Sequence, residues 1–269
     1  MAYMVATIVS FAVIGGLTMQ PLSSMAQEEE VQQTQGQQDQ QSGSTGPVNT
    51  AACGQVVSGV VELTSNLQCT GDGLIVGKDN TIIRLNGHTI TGPGPDSSKV
   101  GISLGSASNV RIEGPGTIEQ FQAGILASGA DKAFITQVIF TDNQIALFST
   151  GTDGLQAMQN IITGNQIGFA AHSSKALNLR ENLITGNQLA GITLVNTGKS
   201  IISTNNVGES QNGIFIDAQS SDNTIDSNNV LKDTVDLNNA NGLATNVNSN
   251  AFTNNNCETS NPSGLCIGR

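Results

Sequence analysis

Three stretches of the chain repeat one phrase: VIFTDNQIAL (138–147), NIITGNQIGF (160–169) and NLITGNQLAGI (182–192). The phrase returns in weaker form as NNVGESQNGIF (205–215) and NNVLKDTVDL (228–237). The repeating units start at Gly101, Gly124, Ala146, Gly168, Gly191, Gly213 and Asp236, so the interval between successive units is nearly constant. A fixed period of this length is typical of a solenoid, in which each unit buries its apolar side chains by stacking on its neighbours.

Stacking the units in register produces three apolar columns. The first contains Ile118, Phe140, Ile162, Ile184, Val207, Val230 and Phe252. The second contains Ile102, Ile125, Leu147, Phe169, Ile192, Ile214 and Leu237. The third contains Ile135, Ala157, Leu179, Ile202, Ile225 and Val247. Three short apolar segments per unit, each broken by Asn, Gly, Ser or Asp, predict three strands per coil. The expected fold is therefore all-β: a single-stranded right-handed parallel β-helix, the pectin-lyase-like solenoid, with about eight coils.

Two other repeat architectures have similar periods. An α-solenoid does not suit units this short that are rich in Asn, Gly, Thr and Ile, because these residues disfavour helix interiors. Leucine-rich repeats need a recurring Leu pattern, and Leu is not dominant here. The β-helix is the architecture that the residues favour.

Two polar columns accompany the apolar ones. Asn143, Asn165, Asn187 and, after Ser210 and Asp233, Asn255 predict a tight turn in which Asn adopts the left-handed conformation or bonds to the Asn one coil away. A second, outward column contains Thr141, Thr163, Thr185 and Thr253 and is interrupted at Gly208 and Leu231. Because Thr suits β surfaces, we interpret both columns as structural and not as a ligand-facing array.

Composition narrows the range of partners. The 269 residues include 10 Lys and Arg against 21 Asp and Glu, a net charge of -11, and the first basic residue is Lys78. Nucleic acid is therefore not an expected partner. Any charged ligand is expected to be cationic or bridged by calcium. With aromatic residues at 3%, the core must consist of Ile, Val, Leu and Ala.

The N-terminal region indicates export. Residues 5–17 are apolar, and Ser24 and Ala26 place small residues where a signal peptidase cuts, so residues 1–26 are predicted to be a signal peptide. An uncleaved anchor and a buried helix are the alternatives, although the run is short for a membrane span. Residues 27–52 are Gln-rich and predict a disordered linker. Residues 53–269 then form the β-helix of a protein that is secreted to the periplasm, the cell surface or the medium, with no membrane span after signal removal.

Four cysteines flank the repeats: Cys53, Cys69, Cys257 and Cys266. We predict the disulfides Cys53–Cys69 and Cys257–Cys266, because the other two pairings would join opposite ends of an elongated molecule. A zinc site is the rival interpretation, but the spacing CxxC is absent and neither His lies near a pair in sequence. The disulfides would protect both caps against fraying.

The opening of the repeat region, residues 53–94, carries a family resemblance. Cys53-Gly54, Leu67, Cys69, Gly73-Leu74-Ile75, Asn80 and Leu85-Asn86-Gly87-His88-Thr89-Ile90 resemble the first coils of exported right-handed β-helix proteins related to the periplasmic copper-binding protein NosD. The resemblance implies an N-terminal cap followed by generic parallel β-helix repeats. Copper itself is not expected, because copper needs clustered His, Met or Cys. Besides the four cysteines, the chain after the signal region offers only Met158 and two His, His88 and His172, which are far apart in the stack. No cofactor is predicted.

Many parallel β-helices cleave polysaccharides, so paired carboxylates matter. The nearest pairs in sequence are Glu113 with Glu119 and Asp222 with Asp226. The turn at Gly114–Gly116 should make the first pair diverge, and the second lies in a Ser-Asp-Asn loop where Asp is a common turn former. The polygalacturonase signatures Asn-Thr-Asp, Asp-Asp, Gly-His-Gly and Arg-Ile-Lys are all missing from the sequence.

Four further residues have structural interpretations. His88 should order a turn, because its motif has no orienting carboxylate, and His172 should lie in a loop. Arg84 should pair with Asp79 or with a residue of a neighbouring coil. Arg180 has only Met158 and Ser203 beside it, too little for a lyase site. No catalytic, cofactor-binding or metal residue is predicted.

The sequence therefore predicts a non-catalytic module that binds a glycan or another surface polymer, or that acts as a spacer. A polysaccharide lyase or glycoside hydrolase with an unrecognised site is the alternative, and two carboxylates within about 10 Å in one groove would favour it. A metal-delivery protein is the third hypothesis.

The clearest break in the repeat period is Gly92–Val100, which lengthens the unit that runs from Gly73 to Gly101. We expect this segment to be a loop that projects from the surface.

Overall fold

The structure, a computed structural model, describes residues 51–243, 247 and 249–267. The predicted signal peptide and all but the last two residues of the predicted linker lie outside these residues. The described residues form 26 short strands. Among them there is no helix long and apolar enough to cross a membrane.

The strands stack as parallel ladders on three faces, called A, B and C in the order in which the chain visits them. Face A contains β1 (Gln55–Val57), β4 (Leu74–Val76), β7 (Val100–Gly105), β9 (Ala123–Ser128), β11 (Ile145–Thr150), β14 (Ile167–His172), β17 (Ala190–Val195), β20 (Asn212–Ile216), β23 (Val235–Asn239) and β26 (Ser260–Asn261). Face B contains β2 (Val60–Glu62), β5 (Ile82–Arg84), β12 (Gln156–Met158), β15 (Asn178–Arg180), β18 (Ile201–Ser203), β21 (Thr224–Asp226) and β24 (Ala251–Thr253).

Face C contains β3 (Leu67–Gln68), β6 (Thr89–Thr91), β13 (Ile161–Thr163), β16 (Leu183–Thr185), β19 (Asn206–Gly208), β22 (Asn229–Leu231) and β25 (Asn256–Cys257). Two longer strands, β8 (Arg111–Glu119) and β10 (Phe134–Thr141), bend between faces B and C and contribute to both. One strand from each face makes one coil, and the coils form the predicted right-handed parallel β-helix. There are about nine coils, because residues 55–91 pair in the same way as the repeats that follow them.

The apolar columns fill the interior as predicted until the last coil. Phe140 pairs with Ile118 and Ile162, for example, and all three are buried. The connection between β23 and β24 is longer than in the earlier coils, and Thr224 consequently pairs with Ala251. Our assignment of Phe252 to the first column and of Val247 to the third was therefore wrong. Phe252 follows Ile225 on face B, and Cys257 follows Val230 on face C.

A short ladder of Ser200, Asn223 and Asn250 lies at the turn from face A to face B. Two longer ladders lie at the other two turns, where one Asn ladder was predicted. The first lies at the turn from face C to face A and contains Asn143, Asn165, Asn187, Ser210 and Asp233. The second lies at the turn from face B to face C and contains Asn160, Asn182, Asn205, Asn228 and Asn255. Asn255 was therefore assigned to the wrong ladder, for the same reason of coil length.

Each ladder Asn bonds to its neighbours above and below. The Asn182 Oδ1 accepts hydrogen bonds from the main-chain N and the Nδ2 of Asn160, both at 3.0 Å, and its Nδ2 donates to the carbonyl of Ala157 at 2.9 Å. The left-handed conformation belongs to the preceding residue, as at Asp142 (φ 55°) and Glu181 (φ 58°), and not to the Asn as we expected. The Asn side chain is thereby turned inward to satisfy buried main-chain groups.

Face C carries an apolar and hydroxyl surface on its outside. Thr141, Thr163 and Thr185 stack in register, whereas Thr253 belongs to face B and pairs with Asp226, which corrects the predicted column. Beside them, Ile139, Ile161 and Leu183 are 37%, 41% and 39% exposed.

Both ends of the described region are cross-linked. The disulfides are Cys53–Cys69 and Cys257–Cys266, the pairing that the sequence predicted. The predicted loop at Gly92–Val100 also exists, between β6 and β7, and beyond it Ile102 pairs with Leu74. This loop is attached to the preceding coil, since Lys99 Nζ lies 3.8 Å from Asp72 Oδ2 and the Val100 main-chain N donates to Asp72 Oδ1.

Candidate functional site

The turns that connect face A to face B stack along one edge of the β-helix. Five successive turns contribute: 129–133, 151–155, 173–177, 196–200 and 217–223. The regular period brings equivalent residues together, so that parallel bridges join Asp153 to Lys175, Lys175 to Gly198 and Gly198 to Ser221. We call this surface the AB edge.

A cleft of about 530 Å³ lies along the AB edge. The side chains that give it chemical character are Asp131, Asp153, Ser173, Lys175, Asn196 and Gln219. They present carboxylate, hydroxyl, ammonium and amide groups, and no aromatic ring is among the described residues that line the cleft. Such a lining offers many hydrogen-bonding groups and few apolar contacts.

The charged side chains of the cleft already have partners within the protein. Asp131 Oδ1 accepts a hydrogen bond from the main-chain N of Asp153 at 2.8 Å. Asp153 Oδ2 in turn lies 3.3 Å from Lys175 Nζ. A carboxyl oxygen lies within about 5 Å of its own main-chain nitrogen, so the two carboxyl groups are within about 8 Å of each other.

Buried hydroxyl groups support the middle of the cleft from below. The Ser149 hydroxyl lies 2.6 Å from the Thr152 hydroxyl and 3.1 Å from that of Ser174, and all three residues are buried. Asp217 supports the next two turns of the cleft from below. This buried residue accepts hydrogen bonds at Oδ1 from the main-chain N of Asn196 and from Ser220. The cleft is therefore built on a hydrogen-bonded framework that fixes its turns.

Gly154 and its equivalents set the shape of these turns. The next-to-last residue of each turn has a left-handed backbone conformation, as at Gly154 (φ 76°), Lys132 (φ 54°) and Lys199 (φ 57°). This conformation is unstrained only for glycine. Lys132 and Lys199 are exposed at this edge, so with Lys175 three of the 10 basic residues of this acidic chain gather at one place.

The carboxylate pairs that the sequence suggested do not form a site. Glu113 lies on face B and Glu119 on face C, which confirms that they diverge. Partial burial acts to raise the pKa of Glu113, but hydrogen bonds from Arg111 and Arg84 outweigh it and the net shift is downward. Arg84 pairs with Glu62 at 2.8 Å and Glu113 at 3.2 Å, both in neighbouring coils, and not with Asp79.

The second carboxylate pair, Asp222 and Asp226, does not form a site either. Hydrogen bonds from Thr253 and Ser227 lower the pKa of Asp226. A lowered pKa keeps this carboxylate ionised, which does not suit a general acid. Asp222 occupies a turn with φ 60°, as its Ser-Asp-Asn context suggested.

The remaining predicted residues lie apart. His88 is in a turn, since its main-chain N donates to the Leu85 carbonyl. His172 is the last residue of β14 and not a loop residue, because it pairs with Thr150 and Val195. Arg180 donates from Nε to the sulfur of Met158 at 3.3 Å.

Asp131, Asp153 and Lys175 were not predicted as site residues. Their regular spacing, equal to the repeat, was the available signal. The turns GADKA (129–133), GTDGL (151–155) and SSKAL (173–177) share no column of one residue type, so they did not stand out as the Asn column did.

The comparison with protein families now identifies the chain. The model for the periplasmic copper-binding protein NosD matches residues 65–266, three quarters of the sequence. The chain belongs to the NosD family. Comparison with curated protein sequences finds no match.

Solved structures share the fold of this NosD-family protein. The enzymatically active domain of bacteriophage CBA120 tailspike protein 2 is 15% identical with a TM-score of 0.51, over 76% of this chain and 34% of that one. DFA-IIIase from Arthrobacter chlorophenolicus A6 is 12% identical with a TM-score of 0.52, over 74% and 66% of the two chains. The Dettilon tailspike protein is 15% identical with a TM-score of 0.50, over 77% and 54%. This NosD-family chain thus spans about a third of the length of the first of these proteins.

The residues of this chain do not fit the copper in the family name. All four cysteines are in disulfides, and His88 and His172 lie on different coils. Met158 is engaged by Arg180. Within the described residues no three His, Cys, Asp or Glu side chains are grouped as a metal site would need.

Proposed function

We propose that this NosD-family protein is an exported β-helix module that binds a glycan or a similar surface polymer through the AB edge, without cleaving it. The observation that carries the proposal is the continuity of the cleft over five stacked turns. Four steps between strands of about 4.8 Å give a length of about 19 Å. A linear polymer fits a site of this kind, because each stacked turn adds lining residues along the edge.

The chemistry of the lining supports a hydroxyl-rich ligand. Ser173, Asn196 and Gln219 can donate and accept hydrogen bonds, and Lys175 adds three donors. The buried hydroxyl groups and Asp217 below them hold the turns in place before a ligand arrives. Preorganisation of this kind lowers the entropic cost of binding.

The carboxylates of the cleft favour binding over catalysis. Asp153 is paired with Lys175, and Asp131 accepts a hydrogen bond from the main chain of the next turn. A glycosidase needs a pair of carboxyl groups that both face the scissile bond. Both aspartates of the cleft are instead engaged in contacts that hold the turns together.

Export is the other part of the proposal. Two disulfides suit an oxidising compartment, and the family is named for a periplasmic protein. The predicted signal peptide at residues 1–26 points in the same direction. The glycan would then be a component of the cell envelope or of the surroundings.

A glycan array tests binding, with two matched variants to locate it. Lys175→Gln removes the cation of the cleft, while Lys232→Gln removes an exposed lysine with the same 3.3 Å ion pair outside it. We expect at least a tenfold loss of affinity for Lys175→Gln and less than a twofold change for Lys232→Gln. An array without binding, or equal losses in both variants, would contradict the proposal.

One observation favours a polysaccharide-cleaving enzyme as the second candidate. Asp131 and Asp153 are within about 8 Å of each other in one groove, close enough for the paired carboxyl groups of a glycosidase. A screen for depolymerisation of the bound glycans distinguishes the two functions. Cleavage that is lost in Asp131→Asn or Asp153→Asn, with binding retained, would establish the enzyme and reject the non-catalytic module.

A further inference from the structure

The buried carboxylate of Asp236 joins the C-terminal coil to the preceding coil, in addition to the pairing of β25 with β22 and of β26 with β23. Asp236 occupies the row in which the preceding coils have Gly168, Gly191 and Gly213. That row points inward at a close approach of main chains, since a Cβ at Gly213 would lie 2.6 Å from the carbonyl oxygen of Asp236. A side chain at this row is therefore an exception that needs its own contacts.

Asp236 supplies those contacts to the last coil. Its Oδ2 accepts hydrogen bonds from the main-chain N of Glu258 at 2.7 Å and of Thr259 at 2.9 Å. Its own main-chain N donates to the Thr259 hydroxyl at 2.8 Å. The residue is 1% exposed, so these hydrogen bonds are shielded from water. They join residues 258–259 to the preceding coil.

Asp233 lies beside this connection, at the end of the first Asn ladder. Its Oδ1 accepts the main-chain N–H of Ser210 at 2.7 Å, as the Oδ1 of each ladder Asn does. Its Oδ2 is buried and has no hydrogen-bond partner among the described residues. In the Asn members the second atom is a donor: the Asn165 Nδ2 bonds to the carbonyls of Phe140 and Thr163. A carboxylate oxygen cannot make such bonds, but a protonated carboxyl group can.

The charges that face Asp233 also favour its protonated form. Asp236 belongs to the same turn, and its Oδ1 accepts a hydrogen bond from the Asp233 main-chain N at 3.1 Å. Glu209 acts on it from the coil below, where Lys232 Nζ lies 3.3 Å from Glu209 Oε1. Burial is the largest cause and, with the charges of Asp236 and Glu209, raises the pKa of Asp233 to about 7 despite the opposing Ser210 hydrogen bond.

We infer that Asp233 and Asp236 form a proton-dependent latch on the C-terminal coil. With Asp233 protonated, the latch is closed: Asp236 keeps its hydrogen bonds to residues 258–259. When Asp233 loses its proton, two adjacent carboxylates repel each other within a partly buried turn. The contact of Asp236 with the last coil then weakens, and strands β25 and β26 separate more readily from β22 and β23.

The direction of the pH effect follows from the raised pKa of Asp233. In the open coil Asp233 is exposed and has the ordinary pKa of an aspartate, 3.8, whereas in the closed coil the pKa is about 7. The closed state therefore binds more protons between these values. Closure is strongest below about pH 4 and weakens as the pH rises to about 7, with no further change from this group above that.

Hydrogen exchange followed by mass spectrometry on the whole chain tests the latch. Protection of the amides in peptides that cover residues 256–261 should fall at least tenfold between pH 5 and pH 8, after correction for intrinsic rates. Peptides that cover residues 178–192 serve as the internal reference and should not change. Equal behaviour of the two regions would overturn the inference without the need for any variant.

Two variants locate the effect. Asp233→Asn supplies the donor that the ladder lacks and should keep residues 256–261 protected at both pH values. Asp226→Asn changes an outward-facing aspartate of the same coil on face B and should leave the pH dependence intact. A pH dependence that persists in Asp233→Asn, or that disappears in Asp226→Asn, would reject Asp233 as the titrating group.

Discussion

The middle of the β-helix and its C-terminal end solve the same packing problem with different side chains. Along the turn from face C to face A, the neutral side chains of Asn143, Asn165 and Asn187 donate and accept hydrogen bonds along the axis. Towards the C-terminal end, Ser210 and Asp233 continue this row, and one buried carboxylate oxygen of Asp233 has no partner among the described residues. Asp236 stands in a nearby row in which the preceding coils have Gly.

The contrast shows what an uninterrupted ladder contributes. An Asn amide accepts hydrogen bonds from main-chain N–H groups, donates them to main-chain carbonyl groups and carries no charge. Asn side chains can therefore stack in successive coils. A carboxylate satisfies only donors, so it suits the place where the stack stops and the next coil offers main-chain N–H groups. In the ladder between faces C and A, the change from Asn to Ser and Asp therefore marks the approach to the end of the stack.

Breaking the second Asn ladder in its middle should have the largest effect. Asn182→Ala removes the buried hydrogen bonds that this side chain makes with the main-chain N and the Nδ2 of Asn160 and with the carbonyl of Ala157. Each such loss costs about 1–3 kcal/mol, so we expect a decrease of about 3–5 kcal/mol in the free energy of unfolding. Urea denaturation measures it. Asn206→Ala is the control on the exposed row of face C and should change stability by less than about 0.5 kcal/mol.

Opening the disulfides should have the next largest effect. The Cys53–Cys69 loop has a sequence separation of 16 residues and the Cys257–Cys266 loop one of 9. In the chain-entropy model their removal costs about 3 and about 2.5 kcal/mol, respectively. Thermal unfolding of the paired Cys→Ser variants would show this order. A larger loss at the C-terminal end would mean that the latch region depends on its disulfide more than loop closure explains.

Restoring an amide at the end of the ladder should stabilise the protein in a pH-dependent way. We expect Asp233→Asn to be more stable than the natural sequence by about 1–2 kcal/mol at pH 8, and equally stable near pH 4. The full pKa shift would imply more, but the carboxyl group is partly accessible to solvent and the effect is discounted for screening. The difference should develop between about pH 4 and pH 7, because over that interval the natural carboxyl group is protonated when folded and ionised when unfolded. A constant difference across this range would contradict the assignment.

The charged residues on face B should have the smallest effect. Arg84 bridges Glu62 and Glu113, but its side chain is 41% exposed. Exposed ion pairs contribute little to stability, so Arg84→Ala should lower the melting temperature only slightly, and less at high salt. Thermal unfolding at low and high salt measures both. A loss comparable to that of Asn182→Ala would mean that outward charges, and not the inner ladders, hold the coils together.

Counting the repeat predicted the architecture because inward positions recur as one residue type. Ile118, Phe140 and Ile162 could be aligned by spacing alone, and the structure pairs them. Counting failed where the spacing changed without a signal in composition. The longer final coil moved Phe252, Thr253 and Asn255 away from the columns to which a constant step assigned them.

The candidate site was harder to predict for a different physical reason. Turn residues on the outside are not selected for one shape, so Asp131, Asp153 and Lys175 form a stack without forming a column of one type. Their proximity depends on the register of the interior, which is known only once the fold is established. The second ladder was missed more simply, since Asn160 and Asn182 were considered only as part of the repeated phrase.

The most direct test of the proposed function is to map the bound glycan onto the protein by NMR. With a glycan identified on the array, titration of isotope-labelled protein should shift amide signals of the five AB-edge turns, above all Asp153, Lys175 and Asn196. Signals of the 92–100 loop and of the exposed Ile and Thr rows on face C should stay in place. Shifts that cluster on face C or on that loop, with the AB-edge signals unchanged, would contradict glycan binding at the AB edge.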